Sequence, residues 1–276
     1  MEREGMYMVT KIISGEVVER RKSYVGRRPS RRGARIKGNS AEKKQENNRQ
    51  QAVLTMTRIF NCNFHAGDVL IGLDFDDAAL ARCGGTIEGA AKEGRKFIDR
   101  VAYRVKKHGH ELKWVLVPSE KNGDTGEAAR LHCHIVMSGS GIRMENGVFY
   151  LYDEKLDDVW GRGTADVRVL RRQKDYYQMA AYLIRQANTA PDAKKYTSSR
   201  NMIKPRIEHT YVLTAAPLRA PVGATTLPGT RYDPEKGVNV VRYIPRAKGP
   251  SKKIGGSKEM AVACGGEPEG GGEDGL

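Results

Sequence analysis

The sequence lacks the long apolar segments of a membrane protein and the cysteine patterns of a secreted or zinc-binding protein. No apolar run approaches the ~18 residues that a membrane span needs, and the first residues hold no apolar core of a secretory signal. A GxxxxGK[ST] motif is also missing, so we expect no helicase domain in this chain. We therefore expect a cytoplasmic protein without a membrane partner. Its cysteines, expected to be reduced because they show no CxxC or zinc-ligand spacing, are Cys62, Cys83, Cys133 and Cys264.

Aromatic residues are scarce, at 7% of the chain, whereas basic residues are abundant. There are 48 lysines and arginines against 33 aspartates and glutamates, which gives a formal net charge of +15. This excess favours a polyanionic partner, and nucleic acid is the default candidate because phosphate contacts supply most non-specific affinity. The chain has no RNP-like aromatic cluster on a central strand, which argues against an RRM-type RNA-binding protein.

Composition divides the chain into a folded centre, expected over residues 53–215, and two flanks. Residues 1–52 are expected to form a basic, largely flexible arm with a possible short strand, because residues 20–41 contain no acidic side chain. Residues 216–276 are rich in Gly, Pro, Lys and Glu and are expected to be mostly disordered. A solvated linker is the alternative for the arm. If the arm binds DNA phosphates, the residues that do so are Arg20, Arg21, Arg27, Arg28, Arg31, Arg32 and Arg35.

Hydrophobic periodicity predicts an α+β domain. Apolar residues at helical spacing predict helices over residues 41–58, 88–107, 154–160 and 175–188. Short apolar or alternating runs predict strands over residues 68–75, 111–117, 131–137, 148–152 and 166–170. Several of the predicted strands follow one another directly along the chain and can form hairpins, so we expect an antiparallel sheet with helices on one face.

Two histidines alternate along the strand predicted over 131–137. Side chains of a strand point to opposite faces in turn, so His132 and His134 share one face while Cys133 lies on the other. Two imidazoles side by side on a rigid strand are placed to bind one divalent ion. The alternative is that both are ordinary sheet residues. His108 and His110 have the same spacing but enclose a glycine between elements, which predicts a turn without a function.

Two neutral imidazoles leave a hard cation underbound, so a third ligand is expected. Glu120 closes the strand before the histidines and is the better candidate if the two strands form an antiparallel hairpin. Glu127, in the connection between the strands, is the second candidate. An exposed loop carboxylate without a function remains the alternative for either residue.

The last predicted helix carries a tyrosine outside its apolar stripe. Tyr182 shares a helix face with Gln178, Arg185 and Gln186, whereas Tyr176 belongs to the stripe and Tyr177 lies at its flank. A phenol attacks phosphate poorly unless a metal polarises the target oxygens. Near a metal-binding pair, Tyr182 therefore becomes a candidate nucleophile. Arg185, one turn on, becomes a candidate catalytic residue that holds a phosphate or favours the phenolate and so steadies the developing charge.

These segments resemble HUH endonucleases. RLHCHIVMSG is similar to their motif of two histidines flanking a hydrophobic residue, and AAYLIRQ resembles their tyrosine helix, commonly YxxK. Over about residues 61–205 the chain most resembles the rolling-circle replication initiators of bacterial plasmids and phages. Glu120 stands where many of these enzymes carry the third ligand, and the segments WGRG and KYTSSR also resemble theirs. Arg185 departs from the usual lysine, and Gln186 stands where two-tyrosine members have their second tyrosine.

The resemblance implies a central antiparallel sheet of ferredoxin-like or RRM-like type and a Mg²⁺ or Mn²⁺ ion. It implies nicking and joining of single-stranded DNA at an origin through a 5′-phosphotyrosine on Tyr182, with a host helicase and DNA polymerase as partners. A relaxase or single-tyrosine transposase shares this chemistry and is the first alternative. The second is a non-enzymatic protein that binds single-stranded nucleic acid on the same sheet. Should Tyr182 not be the nucleophile, Tyr177 is the next residue to test.

Overall fold

The computed structural model describes residues 6–25, 41–122, 125, 127–139, 141–187, 194–233 and 238–246. The helices within these ranges are α1 (Ala41–Asn63), α2 (Asp77–Arg82), α3 (Ile87–Lys107), α4 (Leu156–Trp160) and α5 (Tyr177–Gln186). The strands are β1 (Tyr7–Ser14), β2 (Val17–Tyr24), β3 (Val69–Asp74), β4 (Trp114–Lys121), β5 (Ala128–Met137), β6 (Ile142–Glu145), β7 (Val148–Leu151), β8 (Glu154–Lys155), β9 (Ala165–Val169), β10 (Thr197–Ser198), β11 (Arg206–Val212), β12 (Thr225–Thr226), β13 (Arg231–Asp233) and β14 (Val238–Ile244). Within the same ranges, no helix combines the length and the apolar character that crossing a membrane requires. The expected α+β class is confirmed.

A five-stranded antiparallel sheet forms the centre of the fold, in the order β10-β4-β5-β3-β9. The histidine strand β5 is the middle strand, so its side chains are flanked by neighbours on both sides. The register places Gly72 of β3 and Val117 of β4 opposite His134. Residues that lie directly opposite each other share a sheet face, and this face therefore carries the histidine side chains.

Helices cover both faces of the central sheet, so the expectation of helices on one face is wrong. The physical reason lies in β4, whose first six residues are all buried. Trp114 and Leu116 pack in the core with α3, whereas Val115 and Val117 pack on the other face with α1 and α5. A continuous apolar run of this kind has side chains to bury on both faces. The histidine side chains lie on the α1 and α5 face.

A second sheet joins the two ends of the described chain, in the order β11-β1-β2-β14-β12, with β13 pairing β14. The possible short strand predicted within residues 1–52 is confirmed, and it forms a hairpin of two strands, β1 and β2. The flexible arm is wrong for residues 20–24, and the predicted disorder is wrong for the strands between residues 225 and 244. Short segments gain stability only when a sheet supplies partners, and here β14 supplies the partner of β2. The domain extends beyond residues 53–215 on both sides. Residues 26–40 and 247–276 lie outside the described ranges.

Two buried ion pairs attach the second sheet to the helices of the central domain. Arg58 of α1 donates two hydrogen bonds, of 3.2 and 2.6 Å, to the carboxylate of Glu19 in β2. Arg242 of β14 donates to Asp175, just before α5, at 3.0 Å, and only 2% of the Arg242 side chain is exposed. Asn61 of α1 donates to the same Asp175 oxygen, at 3.2 Å. Asp175, just before the start of α5, is therefore contacted by residues of α1 and of β14.

A third, small sheet lies at the edge of the domain and contains β6, β7 and β8 in that order. The predicted turn at residues 108–110 is confirmed, since Gly109 has a φ of 78° and ends α3. The His108 ring stacks on Tyr152, with a centroid separation of 3.6 Å. This stacking gives His108 a packing role and leaves the pair at 132 and 134 as the candidate site.

Candidate metal and nucleophile site

His132 and His134 lie side by side on the α5 face of β5. Their Nε2 atoms are 3.1 Å apart, and their ring centroids are separated by 4.8 Å. Cys133 lies on the opposite face, fully buried, with its Sγ directed to the carbonyl oxygen of Ala90 in α3. The predicted alternation is confirmed. Burial in this apolar core raises the pKa of the Cys133 thiol, which makes it a packing residue without reactivity.

The protonation of His132 is fixed by the backbone. Its Nδ1 lies 2.8 Å from the carbonyl oxygen of Arg130. A carbonyl oxygen only accepts hydrogen bonds, so Nδ1 carries the proton and Nε2 keeps a free lone pair. Histidine ligands of metals are commonly oriented in this way, by a hydrogen bond from the other ring nitrogen. The lone pair of His132 is thus directed towards His134.

His134 is held in its neutral form. Burial first, and then the nearby His132, lower the pKa of His134, which lies at about 4. Arg168 acts in the same direction, whereas a hydrogen bond to Gln186 and the charge of Asp166 oppose the shift. A neutral imidazole is the form that binds metals. The hydrogen bond to the Gln186 oxygen places the His134 proton on Nε2, so binding a metal through Nε2 moves this proton to Nδ1, which is buried without a hydrogen-bond partner among the described residues.

A third polar atom completes the group, and it comes from α5. The side-chain oxygen of Gln186 lies 2.9 Å from Nε2 of His134 and 3.3 Å from Nε2 of His132. The end of α5 is brought to this place by a β-bridge between Ala187 and Ser119, the β4 residue that pairs with His132. Gln186 is buried, and its Nε2 atom has no hydrogen-bond partner in the described part of the chain.

The three atoms fit a divalent ion. Ligands on one face of an octahedron with bonds of about 2.1 Å lie about 3 Å from one another. The three separations here, between the two Nε2 atoms and the Gln186 oxygen, are 3.1, 3.3 and 2.9 Å. The amide oxygen suits Mn²⁺ or Mg²⁺, whereas imidazole nitrogens also suit transition metals such as Zn²⁺.

Neither Glu120 nor Glu127 is brought to the histidine pair. Among the residues that the structure describes, no group of three His, Cys, Asp or Glu side chains lies together. Ser119, the residue before Glu120, is the one that pairs with His132, and the register shifts between Ser119 and Lys121. Gln186 thus occupies the place that sequence analysis expected for Glu120. A glutamine four residues after Tyr182 was the available signal, since that spacing puts both on one helix face.

Tyr182 lies next to the histidines. Its ring centroid is 6.2 Å from that of His134, and the side chain is half-buried. Tyr176 is buried in the core of the α5 face, as its position in the apolar stripe predicted. Tyr177 instead contacts Arg242, whose guanidinium lies 5.1 Å from its ring centroid. Of these three tyrosines of α5 and its start, Tyr182 is the one placed beside the candidate metal ligands.

Comparison with known proteins found no relative of this chain. No family model, no curated protein and no solved structure matches the chain. His132, His134, Gln186 and Tyr182 lie together on one face of the central sheet.

The predicted DNA-binding arginines have different positions. Arg185 is exposed and lines a cavity beside α5, on the helix face next to that of Tyr182. Arg20 and Arg21 lie within β2, an inner strand of the second sheet, and Arg21 lines the same cavity. The remaining arginines of the predicted arm lie outside the described residues; they are Arg27, Arg28, Arg31, Arg32 and Arg35.

Proposed function

We propose that the protein is a metal-dependent endonuclease that nicks and rejoins single-stranded DNA with Tyr182 as its nucleophile. One observation carries the proposal: a tyrosine on one helix lies beside three converging metal-ligand atoms, from His132, His134 and Gln186. A tyrosine next to such atoms has the group that attacks a phosphate and the ligands for an ion that activates the phosphate.

The fold and the charge are consistent with this proposal. The five-stranded antiparallel sheet, with the histidines on its middle strand, agrees with the ferredoxin-like or RRM-like sheet that the HUH resemblance implies. The net charge of +15 suits a DNA ligand. The resemblance over about residues 61–205 leads us to propose initiation of rolling-circle replication of a plasmid or phage, at an origin.

The proposed chemistry assigns a role to each of these residues. His132, His134 and Gln186 would hold a Mg²⁺ or Mn²⁺ ion, which when bound polarises the non-bridging oxygens of the scissile phosphate. The Tyr182 oxygen attacks the phosphorus and loses its proton. The bond from phosphorus to the 3′ oxygen breaks, and that oxygen takes up a proton. The products are a 5′-phosphotyrosine and a free 3′-OH, which a host polymerase extends, and joining reverses the exchange.

Adduct formation tests the proposal. The protein is incubated with single-stranded origin oligonucleotides and Mn²⁺, and the covalent adduct is detected by denaturing electrophoresis and mass spectrometry. Tyr182→Phe should abolish the adduct because the attacking oxygen is lost. Tyr103→Phe, on α3 and 69% exposed, is the matched control and should keep it. An adduct formed by Tyr182→Phe contradicts the assignment and directs the test to Tyr177.

Adding a chelator distinguishes a metal-dependent nuclease from a protein that only binds nucleic acid. We expect EDTA to stop adduct formation, and His132→Ala to do the same, since both remove the ion. A protein that binds DNA equally well in EDTA and after loss of His132, and that forms no adduct under any condition, is a non-enzymatic single-stranded nucleic-acid-binding protein. That result would reject the proposed enzymatic function.

A further inference from the structure

A cavity of about 540 Å³ lies beside α5, on the helix face next to that of Tyr182. Its wall is formed by residues of α1, α5, β2, β14 and the segment that leads into β13, so both ends of the chain contribute to it. The volume falls within the range of about 300–1,000 Å³ that is typical of ligand sites. The charged residues that line it are Arg21, Glu46, Arg49, Arg185 and Arg231.

The cavity has an excess of positive charge, because four arginines face one glutamate. Arg21 forms an ion pair with Glu19 at 3.7 Å and Arg49 one with Glu46 at 3.8 Å, both longer than a good hydrogen bond. Arg231 donates to a neutral partner, the side-chain oxygen of Gln50, at 3.3 Å. Arg185 forms no hydrogen bond or ion pair within the described ranges and is exposed. Guanidinium groups from four elements that converge in this way match the oxygens of a phosphate.

The cavity adjoins the nucleophile along the helix. Gln178 and Arg185 line it, and these residues lie four before and three after Tyr182. Residues at this spacing are neighbours on a helix surface. A DNA strand whose scissile phosphate lies at Tyr182 can therefore place its next nucleotide in the cavity by passing over Gln178 and Arg185.

We propose that this cavity binds a nucleotide of the same DNA strand, adjacent to the one that Tyr182 attacks, with its phosphate on the arginines. The proposal rests on the proposed function for the identity of the strand. It differs from general attraction to a basic surface, because it assigns the phosphate to a defined cavity that the second sheet completes. Arg185 then binds a neighbouring phosphate, and the scissile phosphate is left to Tyr182 and the metal ligands.

Binding is measured by fluorescence anisotropy with a fluorescein-labelled 20-residue oligothymidylate. The full chain carries Tyr182→Phe throughout, so that no covalent adduct forms and binding is scored apart from cleavage. The test variant adds Arg49→Ala and Arg231→Ala. The charge-matched control adds Lys92→Ala and Lys106→Ala, two residues of α3 on the other face of the central sheet. Circular dichroism melts check that each variant is folded, and the single change Arg49→Gln replaces the double variant if that variant is not.

We expect the cavity variant to bind at least about tenfold more weakly, because it loses two guanidinium groups and a single hydrogen bond to a charged group already contributes about that factor. The slope of log affinity against log salt should fall by about 0.7, because the cavity neutralises one phosphate of the single strand and each such phosphate contributes about 0.7 to the slope. The control should keep the affinity within about threefold. Equally weakened binding in the test and control variants overturns the proposal, since it shows only the effect of net charge.

A free nucleotide is the other source of such a phosphate. Thymidine monophosphate is therefore titrated by calorimetry into the protein. Binding as tight as that of the oligonucleotide, abolished by Arg49→Ala with Arg231→Ala, overturns the assignment to a DNA strand. Weak or undetectable binding supports it. If the arginine substitutions weaken DNA binding but the protein forms no adduct through Tyr182, the binding site stands and the proposed catalytic function fails. The failure of the cavity proposal and the failure of the proposed function are therefore distinguished.

Discussion

The Gln186→Met substitution removes the one candidate metal ligand that comes from α5. The change deletes the oxygen that lies 2.9 Å from His134 and 3.3 Å from His132 and keeps the length of the side chain. Changes to residues that only support metal ligands weaken metal binding by about 10- to 100-fold. Loss of a direct ligand should cost at least the upper end of that range, so we expect Mn²⁺ to bind about 100-fold more weakly.

The same substitution should leave the protein folded. The Nε2 atom of Gln186 is buried without a hydrogen-bond partner in the described part of the chain, so the native side chain already carries an uncompensated polar group. An apolar side chain of similar shape removes that cost but also the hydrogen bond to His134, whose Nε2 keeps His132 as a partner at 3.1 Å. The free energy of unfolding should therefore change by less than about 2 kcal/mol. Urea unfolding of the metal-free protein measures this. A lower affinity for Mn²⁺ is then attributable to the lost ligand.

Isothermal titration calorimetry with Mn²⁺ at neutral pH provides the assay, and Glu120→Gln is the matched comparison. Glu120 was the ligand expected from sequence, but it is not grouped with the histidines in the structure. Its replacement should change the affinity by less than about threefold, since it removes no ligand from the group. Gln186 is not a metal ligand if Gln186→Met binds Mn²⁺ as tightly as the unaltered protein does, and Glu120 is one if Glu120→Gln weakens binding about 100-fold.

Two further predictions concern stability. Asp175→Ala leaves Arg242 buried without its carboxylate and should lower the free energy of unfolding in urea by about 3–5 kcal/mol, whereas Asp99→Ala, which removes an exposed pair, should cost under about 1 kcal/mol. In EDTA, stability should fall by up to about 3 kcal/mol as the pH drops from 6.5 to 4, because unfolding lets His134, with a folded pKa of about 4, take up a proton. His134→Gln should flatten this pH dependence, and an unchanged slope contradicts the assignment.

Local sequence patterns were sufficient to predict the strand that carries the two histidines and the helix α3 that packs behind it. The helix predicted over residues 88–107 is α3, Ile87–Lys107, where Thr86 caps the first turn and a clear apolar stripe faces the sheet. The strand predicted over 131–137 lies within β5. The shared face of His132 and His134 follows from strand alternation alone, because it depends on one element and not on how elements pack.

The third ligand and the second sheet depend on contacts between distant segments. Gln186 reaches the histidines because Ala187 bridges to Ser119, a contact that no local pattern of α5 encodes. Strand β2 carries Arg20 and Arg21 and ends in polar residues, a composition typical of an exposed arm. It becomes an inner strand only because β1 and β14 pair on either side of it. Long-range pairing of this kind overrides local composition.

Because β2 pairs with β14, the second sheet cannot be completed until β14 has been synthesised. Strand β2 leaves the ribosome early, while its partner β14 (Val238–Ile244) follows near the end of the described chain. Until then one edge of β2 is open, and unpaired edges are the sites where chains associate wrongly. Arg242 arrives with β14, so Asp175, just before α5, stays without this cation until β14 has been synthesised. The start of α5, the helix that carries Tyr182, therefore gains this contact only late in the synthesis of the described chain.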